Sequence, residues 1–187
     1  LLSCGRPTVT VEAMEVMDED GRILGPGETG EVVLRGPTLM DRYLDDEAAT
    51  AEIQKYGWHH TGDIGRRDED GYFYITDRKR DLIISGGFNI FPFEVESALM
   101  KHPAVQDCAV IGVPDEKWGE AVKAVVELNA GQQVTADDLI ALCKEKLGSV
   151  KAPKTVDFVD ALPRSPVGKL LKKDLRAKFW QAAARKI

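Results

Sequence analysis

Asp77-Arg78-Lys79-Arg80-Asp81, followed by Leu82-Ile83-Ile84-Ser85-Gly86-Gly87, is the stretch that divides this 187-residue chain. The first five residues are all charged and offer nothing to a core, so they read as a linker or as the start of a new unit. Leu82-Ile83-Ile84 reads as a short buried strand, and the paired glycines interrupt it. Those glycines serve either turns with positive φ or the close approach of a ligand to bare backbone. Pro92 suits the first residue of a helix that the apolar spacing carries to Lys101, with Val95, Ala98 and Leu99 on one face.

Downstream of this stretch the pattern continues as a compact unit. Residues 105–113 predict a strand that stops at Pro114. Residues 121–128 predict another, with Val122, Ala124, Val126 and Leu128 on one side. Thr135 reads as the N-cap of a helix ending at Gly148, with Leu139, Ile140, Leu142 and Leu147 inward. Residues 154–159 form a last short strand, and a helix runs from Leu170 to the end, with Leu171, Leu175 and Phe179 four apart. The order β-α-β-β-α-β-α predicts a small sheet with helices packed on it.

Upstream, β signals dominate. Residues 8–17 alternate, Asp18-Glu19-Asp20-Gly21 supplies a turn, and Glu31-Val32-Val33-Leu34-Arg35 is a strand closed by Gly36-Pro37. Residues 45–56 predict a helix with acidic residues in its first turn and Gly57 after its last. Residues 64–67 and 72–75 flank Asp70-Gly71 as a hairpin.

Composition narrows the function classes. Apolar residues make up 43% and charged residues 30%, ordinary for a folded globular chain. No apolar run approaches the ~20 residues that a membrane-spanning helix needs. The start carries no Met and no secretory leader, which suggests a piece of something longer. Three scattered cysteines, Cys4, Cys108 and Cys143, argue against a disulfide framework or a structural zinc site and fit a reducing cytoplasm. Residues 1–62 carry a net charge of −7 and residues 163–187 a net +7, inside an overall −6. A basic end on an acidic chain suits a nucleotide-like anion. Nucleic acid fits poorly, because the isoelectric point is about 5.2 and no stacking aromatics interleave the basic residues. A solvated terminal helix, with Arg185 and Lys186 complementing its dipole, accounts for most of those charges.

Three polar clusters could carry chemistry. Trp58-His59-His60-Thr61-Gly62-Asp63 reads as a turn. Its adjacent histidines would point to opposite faces of a strand, which argues against a shared metal ion. The second cluster is the dividing stretch itself with Ser85-Gly86-Gly87-Phe88-Asn89, which lacks the glycine spacing of a phosphate loop. In the third, Leu162-Pro163-Arg164-Ser165-Pro166-Val167-Gly168-Lys169, two prolines and a glycine stiffen an exposed loop that presents one lysine.

The order and spacing of these segments decide the matter. Thr61-Gly62-Asp63, Arg78, Ser85-Gly86-Gly87-Phe88-Asn89-Ile90-Phe91-Pro92 with Glu94 and Glu96, Val110-Ile111-Gly112-Val113-Pro114-Asp115, Trp118-Gly119-Glu120 and Gly168-Lys169 follow one another. Together they closely resemble the C-terminal portion of the acyl-adenylate-forming superfamily: acyl-CoA synthetases, adenylation domains of peptide synthetases, and luciferases. The resemblance runs from Gly5-Arg6-Pro7 to Leu175-Arg176. Ile84-Ser85-Gly86-Gly87-x-Asn89-Ile90 and Lys151-Ala152-Pro153-Lys154 look most like a fatty-acid or aromatic-acid CoA ligase. The Leu-Pro-x-Tyr-Met-Pro of a peptide-synthetase domain is missing near residue 150.

The resemblance implies an α+β architecture. Residues 1–79 would be the β-rich terminal subdomain of a large AMP-binding domain, and residues 80–187 a small α/β lid that swings between two poses about Arg80, where the family usually has Asp or Lys. It implies ATP and CoA as ligands and Mg²⁺ on the triphosphate, with the metal ligand outside this chain. Asp63 would accept the ribose hydroxyls, Arg78 would contact ribose or phosphate, and Lys169 would serve adenylate formation. Gly86 and Gly87 would line the pantetheine path, Trp118 would touch CoA, and Lys154 would lie near its 3′-phosphate. Ala152 stands where some relatives carry a second basic residue. The carboxylic acid, the upstream part of the same protein, ATP and CoA are then the expected partners, and the 187 residues alone are expected to be inactive. Two other readings stand beside this one: an adenylation domain loading a carrier protein, and a truncated chain that merely binds CoA or a partner.

Overall fold

The computed structural model describes residues 3–184. The chain divides after Arg80 into two compact units, each with its own core. Arg185 and Lys186, expected to complement a helix dipole, lie outside the described residues.

The first unit is an antiparallel sheet of five strands: β1 (Ala13–Met17), β2 (Thr29–Arg35), β3 (Gln54–Lys55), β4 (Trp58–Arg67) and β5 (Phe73–Arg78), with a short helix α1 (Glu47–Ile53) before β3. β4 is central. It pairs with β2 along one edge, and with β3 and then β5 along the other. Alternation sends Val16, Val32 and Phe73 into a small core against Met14 and Leu24. The 8–17 segment pairs only from Ala13, because the register with β2 begins at Ala13↔Arg35. The helix is shorter than the expected 45–56. Asp46 caps it by accepting the Ala49 N–H at 2.9 Å, and Gln54-Lys55 leaves it to pair with His59 and Trp58. Thr61-Gly62-Asp63, read as a turn, lies instead inside β4, at a point where the register against β2 shifts.

In the second unit the strands are β6 (Ile83–Ser85), β7 (Phe88–Ile90), β8 (Val105–Asp115), β9 (Gly119–Leu128) and β10 (Thr155–Val159). The helices are α2 (Pro92–Leu99), α3 (Ala136–Lys151) and α4 (Lys172–Ala184). The sheet order is β10-β9-β6-β7 with β8 on the free side of β9. One face buries Val122, Ala124 and Val126 against Val95, Ala98 and Leu99 of α2 and Leu139 and Cys143 of α3. The intervening Val125, with Ala109 and Ile111, faces Leu175 and Phe179 of α4. The period of two along β9 thus sets helices on both sides of one sheet. The fold class is α+β, as the sequence led us to expect.

Four details differ from the sequence reading. β7 is an additional strand, formed because the Gly86-Gly87 turn folds Phe88–Ile90 back onto β6. β8 continues through Pro114 to Asp115; it pairs with β9 alone, so a proline lacking an N–H does not interrupt the ladder. α3 continues to Lys151 in name, but Gly148 is non-helical (φ 81°, ψ 167°), and its buried residues are Leu139 and Cys143 rather than Ile140 or Leu142. α4 begins at Lys172, since Leu170 is held in a bridge to Arg164.

Candidate functional site

In the first unit the functional side chains gather at the β4 bulge. Three residues of β4, Thr61-Gly62-Asp63, stand opposite Val32 alone, because Glu31 pairs with Ile64 and Val33 with His60. Gly62 adopts φ 72°, which a residue with a side chain rarely tolerates. Bonds to side chains replace the interrupted ladder. Thr61 Oγ1 donates to the Val32 carbonyl at 2.7 Å and accepts the Asp63 N–H at 3.1 Å, while Glu31 Oε1 accepts the Gly62 N–H at 3.0 Å.

Asp63 and Arg78 meet across β4 and β5, where they are register partners. The Arg78 Nε lies 2.7 Å from Asp63 Oδ1, and the guanidinium also reaches the Thr61 carbonyl at 3.5 Å. Asp63 is partly exposed and retains acceptor lone pairs for a further donor.

Glu31 was not foreseen as a site residue. Its side chain is only 8% exposed, and its other oxygen, Oε2, lies 3.0 Å from His60 Nδ1 and 3.0 Å from Lys79 Nζ. Burial raises the Glu31 carboxyl, but hydrogen bonds from His60 and Lys79, with their charges, outweigh it and hold the group below its ordinary range. The visible signal was an acid at the start of a valine-rich strand. Nothing local showed that it points inward.

His59 and His60 do not converge. His60 serves Glu31, whereas His59 Nδ1 is buried without a hydrogen-bond partner among the described residues. Nowhere among the described residues do three or more His, Cys, Asp or Glu side chains form a metal-binding group.

The second unit holds two separate features. In the first, Gly86 (φ 58°) and Gly87 (φ 82°) form the two-residue turn between Ser85 and Phe88, both in the left-handed region that primed hairpin turns require. The Gly86 N–H donates to the Trp118 carbonyl at 2.9 Å, and a Cβ on Gly86 would sit 2.6 Å from the Trp118 ring. Gly87 faces open space, and Trp118 is 42% exposed with the Lys117 ammonium 4.7 Å from its ring centroid. The two glycines make the turn, with Gly86 closed by Trp118 and Gly87 open. Lys154 is not joined to this group by a hydrogen bond. Its ammonium donates to the Ser149 carbonyl at 3.0 Å.

The other feature is the loop that presents Lys169. Ser165 donates its N–H to the Lys169 carbonyl at 2.8 Å and accepts the Gly168 N–H at 2.8 Å, while its hydroxyl accepts the Lys169 N–H at 3.1 Å. Arg164 donates to the Gly168 carbonyl at 3.0 Å and pairs with Asp107 on β8. Beyond the loop, Lys172 pairs with Glu96 at 2.8 Å, and Glu96 also accepts the Val110 N–H at 2.7 Å. The backbone of Lys169 is thus pinned while its side chain is exposed. An exposed ammonium on a flexible stem above a pinned loop can reach an anionic ligand.

The AMP-binding enzyme C-terminal domain family matches residues 94–169. A medium/long-chain-fatty-acid–CoA ligase, FadD8 of Mycobacterium tuberculosis, is 46% identical over all of this chain and 34% of its own length. A feruloyl-CoA synthase of Amycolatopsis is 45% identical over 95% of this chain and 36% of its own. The crystal structure of ATP-bound MatB from Rhodopseudomonas palustris superposes with a TM-score of 0.90 at 36% identity, covering 95% of this chain and 36% of that one. The chain therefore spans about a third of the length of the curated relatives it matches.

Proposed function

The chain belongs to the acyl-adenylate-forming superfamily, where it matches the C-terminal portion of the enzymes, and from this we propose that the whole protein is an ATP-dependent acyl-CoA ligase acting on a fatty or aromatic carboxylic acid. The observation that carries the proposal is the exposed ammonium of Lys169 on a loop pinned by Ser165 and Arg164.

In the first half-reaction a carboxylate oxygen attacks the α-phosphorus of ATP. An acyl–oxygen–phosphorus bond forms, and the bond to pyrophosphate breaks. Two anions must approach, so a positioned cation stabilises the charge that develops between them. That is the role for Lys169. Asp63, paired with Arg78, accepts the vicinal ribose hydroxyls, and Arg78 supplies positive charge beside them. Magnesium on the triphosphate would take its protein ligand from outside this chain, and among the described residues no three His, Cys, Asp or Glu side chains form a metal-binding group.

For the second half-reaction the CoA thiolate attacks the acyl carbonyl, a carbon–sulfur bond forms, and AMP leaves. Gly86 and Gly87 leave room for the pantetheine arm beside Trp118, and Lys154 lies near the CoA 3′-phosphate. Lys169 and the Gly86-Gly87 turn serve different steps from the same unit. Rotation about Arg80, at the boundary between the two units, is how that unit serves both.

ATP–pyrophosphate exchange by the longer protein tests this. Exchange that requires a carboxylic acid, followed by thioester formation on free CoA, is the expected result. Exchange without any thioester would point to a carrier protein as acceptor, and absence of both to a binding role. The 187 residues alone are expected to give no exchange.

A further inference from the structure

The Gly62 N–H, taken out of the ladder by the β4 bulge, is accepted by a carboxylate from another strand. We propose that Glu31 is a positioning residue for nucleotide binding: it holds the Thr61-Gly62-Asp63 bulge open and anchors the residue that precedes the pivot. This rests on the reading of Asp63 as the ribose acceptor.

Three contacts carry the inference. Glu31 Oε1 takes the Gly62 N–H at 3.0 Å, one of two donors in the bulge that bond to a side chain in place of the ladder with β2. Oε2 takes His60 Nδ1 and Lys79 Nζ, each at 3.0 Å. A carboxylate with 8% of its side chain exposed is costly unless its lone pairs are filled, and here both oxygens are engaged. His60 precedes the bulge directly, and Asp63 follows Gly62. The carboxylate thus grips the backbone on one side of the ribose acceptor while Arg78 grips the side chain from the other. No hydrogen bond or ion pair joins Glu31 to Asp63 among the described residues, so its influence acts through the path of the chain.

The Lys79 contact adds a second consequence. Lys79 begins the short 3-10 turn Lys79–Asp81, and the units divide after Arg80. The ion pair holds the Lys79 side chain to the sheet of the first unit, one residue before the pivot.

Glu31→Gln in the full-length enzyme tests the proposal, since glutamine keeps the size and one acceptor but loses the charge shared by His60 and Lys79. The expected result is a rise of about tenfold in KM for ATP during exchange, with KM for the carboxylic acid nearly unchanged, both measured on the protein that remains folded. An unchanged KM for ATP, or a loss of kcat that follows a loss of folded protein, would overturn it. Amide exchange at Gly62 in the unaltered protein gives a measurement independent of any variant. Protection of at least about a hundredfold is expected, and exchange as fast as an open chain would overturn the role of Glu31. Absence of carboxylate-dependent exchange in the unaltered enzyme would instead overturn the ligase reading, leaving the Gly62 result to judge the hold on the bulge.

Discussion

The Trp118 ring occupies the space where a Cβ on Gly86 would project, 2.6 Å from the nearest ring carbon, while the Trp118 carbonyl accepts the Gly86 N–H at 2.9 Å. The neighbouring Gly87 meets nothing within 4 Å. One glycine of the turn is therefore set by packing as well as by its dihedral angle, and the other by its dihedral angle alone.

Comparing Gly86→Ala with Gly87→Ala separates these effects. Both place a side chain in the left-handed region, at about 1–2 kcal/mol. Gly86→Ala must also push the Trp118 ring aside and is expected to lose a further ~1 kcal/mol or more. Denaturant unfolding of the two variants gives the comparison, and equal losses would show that the ring yields freely.

Lys169→Ala is expected to lower carboxylate-dependent ATP–pyrophosphate exchange by about 10²–10³-fold. Thioester formation from a supplied acyl-adenylate and CoA is expected to continue near its normal rate. Equal loss in both steps would remove Lys169 from its assigned role. Because the ammonium is exposed and unpaired among the described residues, the unfolding midpoint should not move.

Glu31 predicts a pH dependence for the first unit. Its carboxyl is held below its ordinary value of 4.5 in the folded protein, so the folded state binds that proton less readily than the unfolded chain. The Glu31 contribution is therefore complete above pH 4.5 and is lost as pH falls through the lower folded value. Glu31→Gln should flatten this acid limb, measured as unfolding free energy between about pH 6 and pH 3.

Thiol reactivity should distinguish the cysteines. Burial, reinforced by the charges of Glu96 and Asp107, pushes the Cys108 thiol up to about 12, and burial pushes Cys143 up to about 11. Cys4 is exposed. Alkylation of the native protein at pH 8, followed by mass spectrometry, is expected to label Cys4 first, and to label Cys108 and Cys143 only on unfolding.

Much of the second unit was legible in the residues. Val122, Ala124 and Val126 alternate along β9 and do face one core, and Thr135 does cap α3, with Asp138 returning the bond. The thin spots have physical causes. Phe88–Ile90 is too short for periodicity to register, and only its pairing with β6 makes it a strand. Pro114 reads as a strand breaker unless its outer edge is known to be unpaired.

The amino-acid sequence by itself determined the elements and the chemistry available: periods of two and of 3.6, glycines where φ must be positive, a stiff loop around one lysine, and motifs in a family's order. These are local properties, written within a few residues of one another. Only the tertiary structure decided that Glu31 reaches Gly62, His60 and Lys79, that Arg78 faces Asp63, and that Gly86 lies against Trp118. Each of those contacts joins residues far apart in the chain. Their meeting depends on strand register, where a slip of one residue turns every side chain to the opposite face.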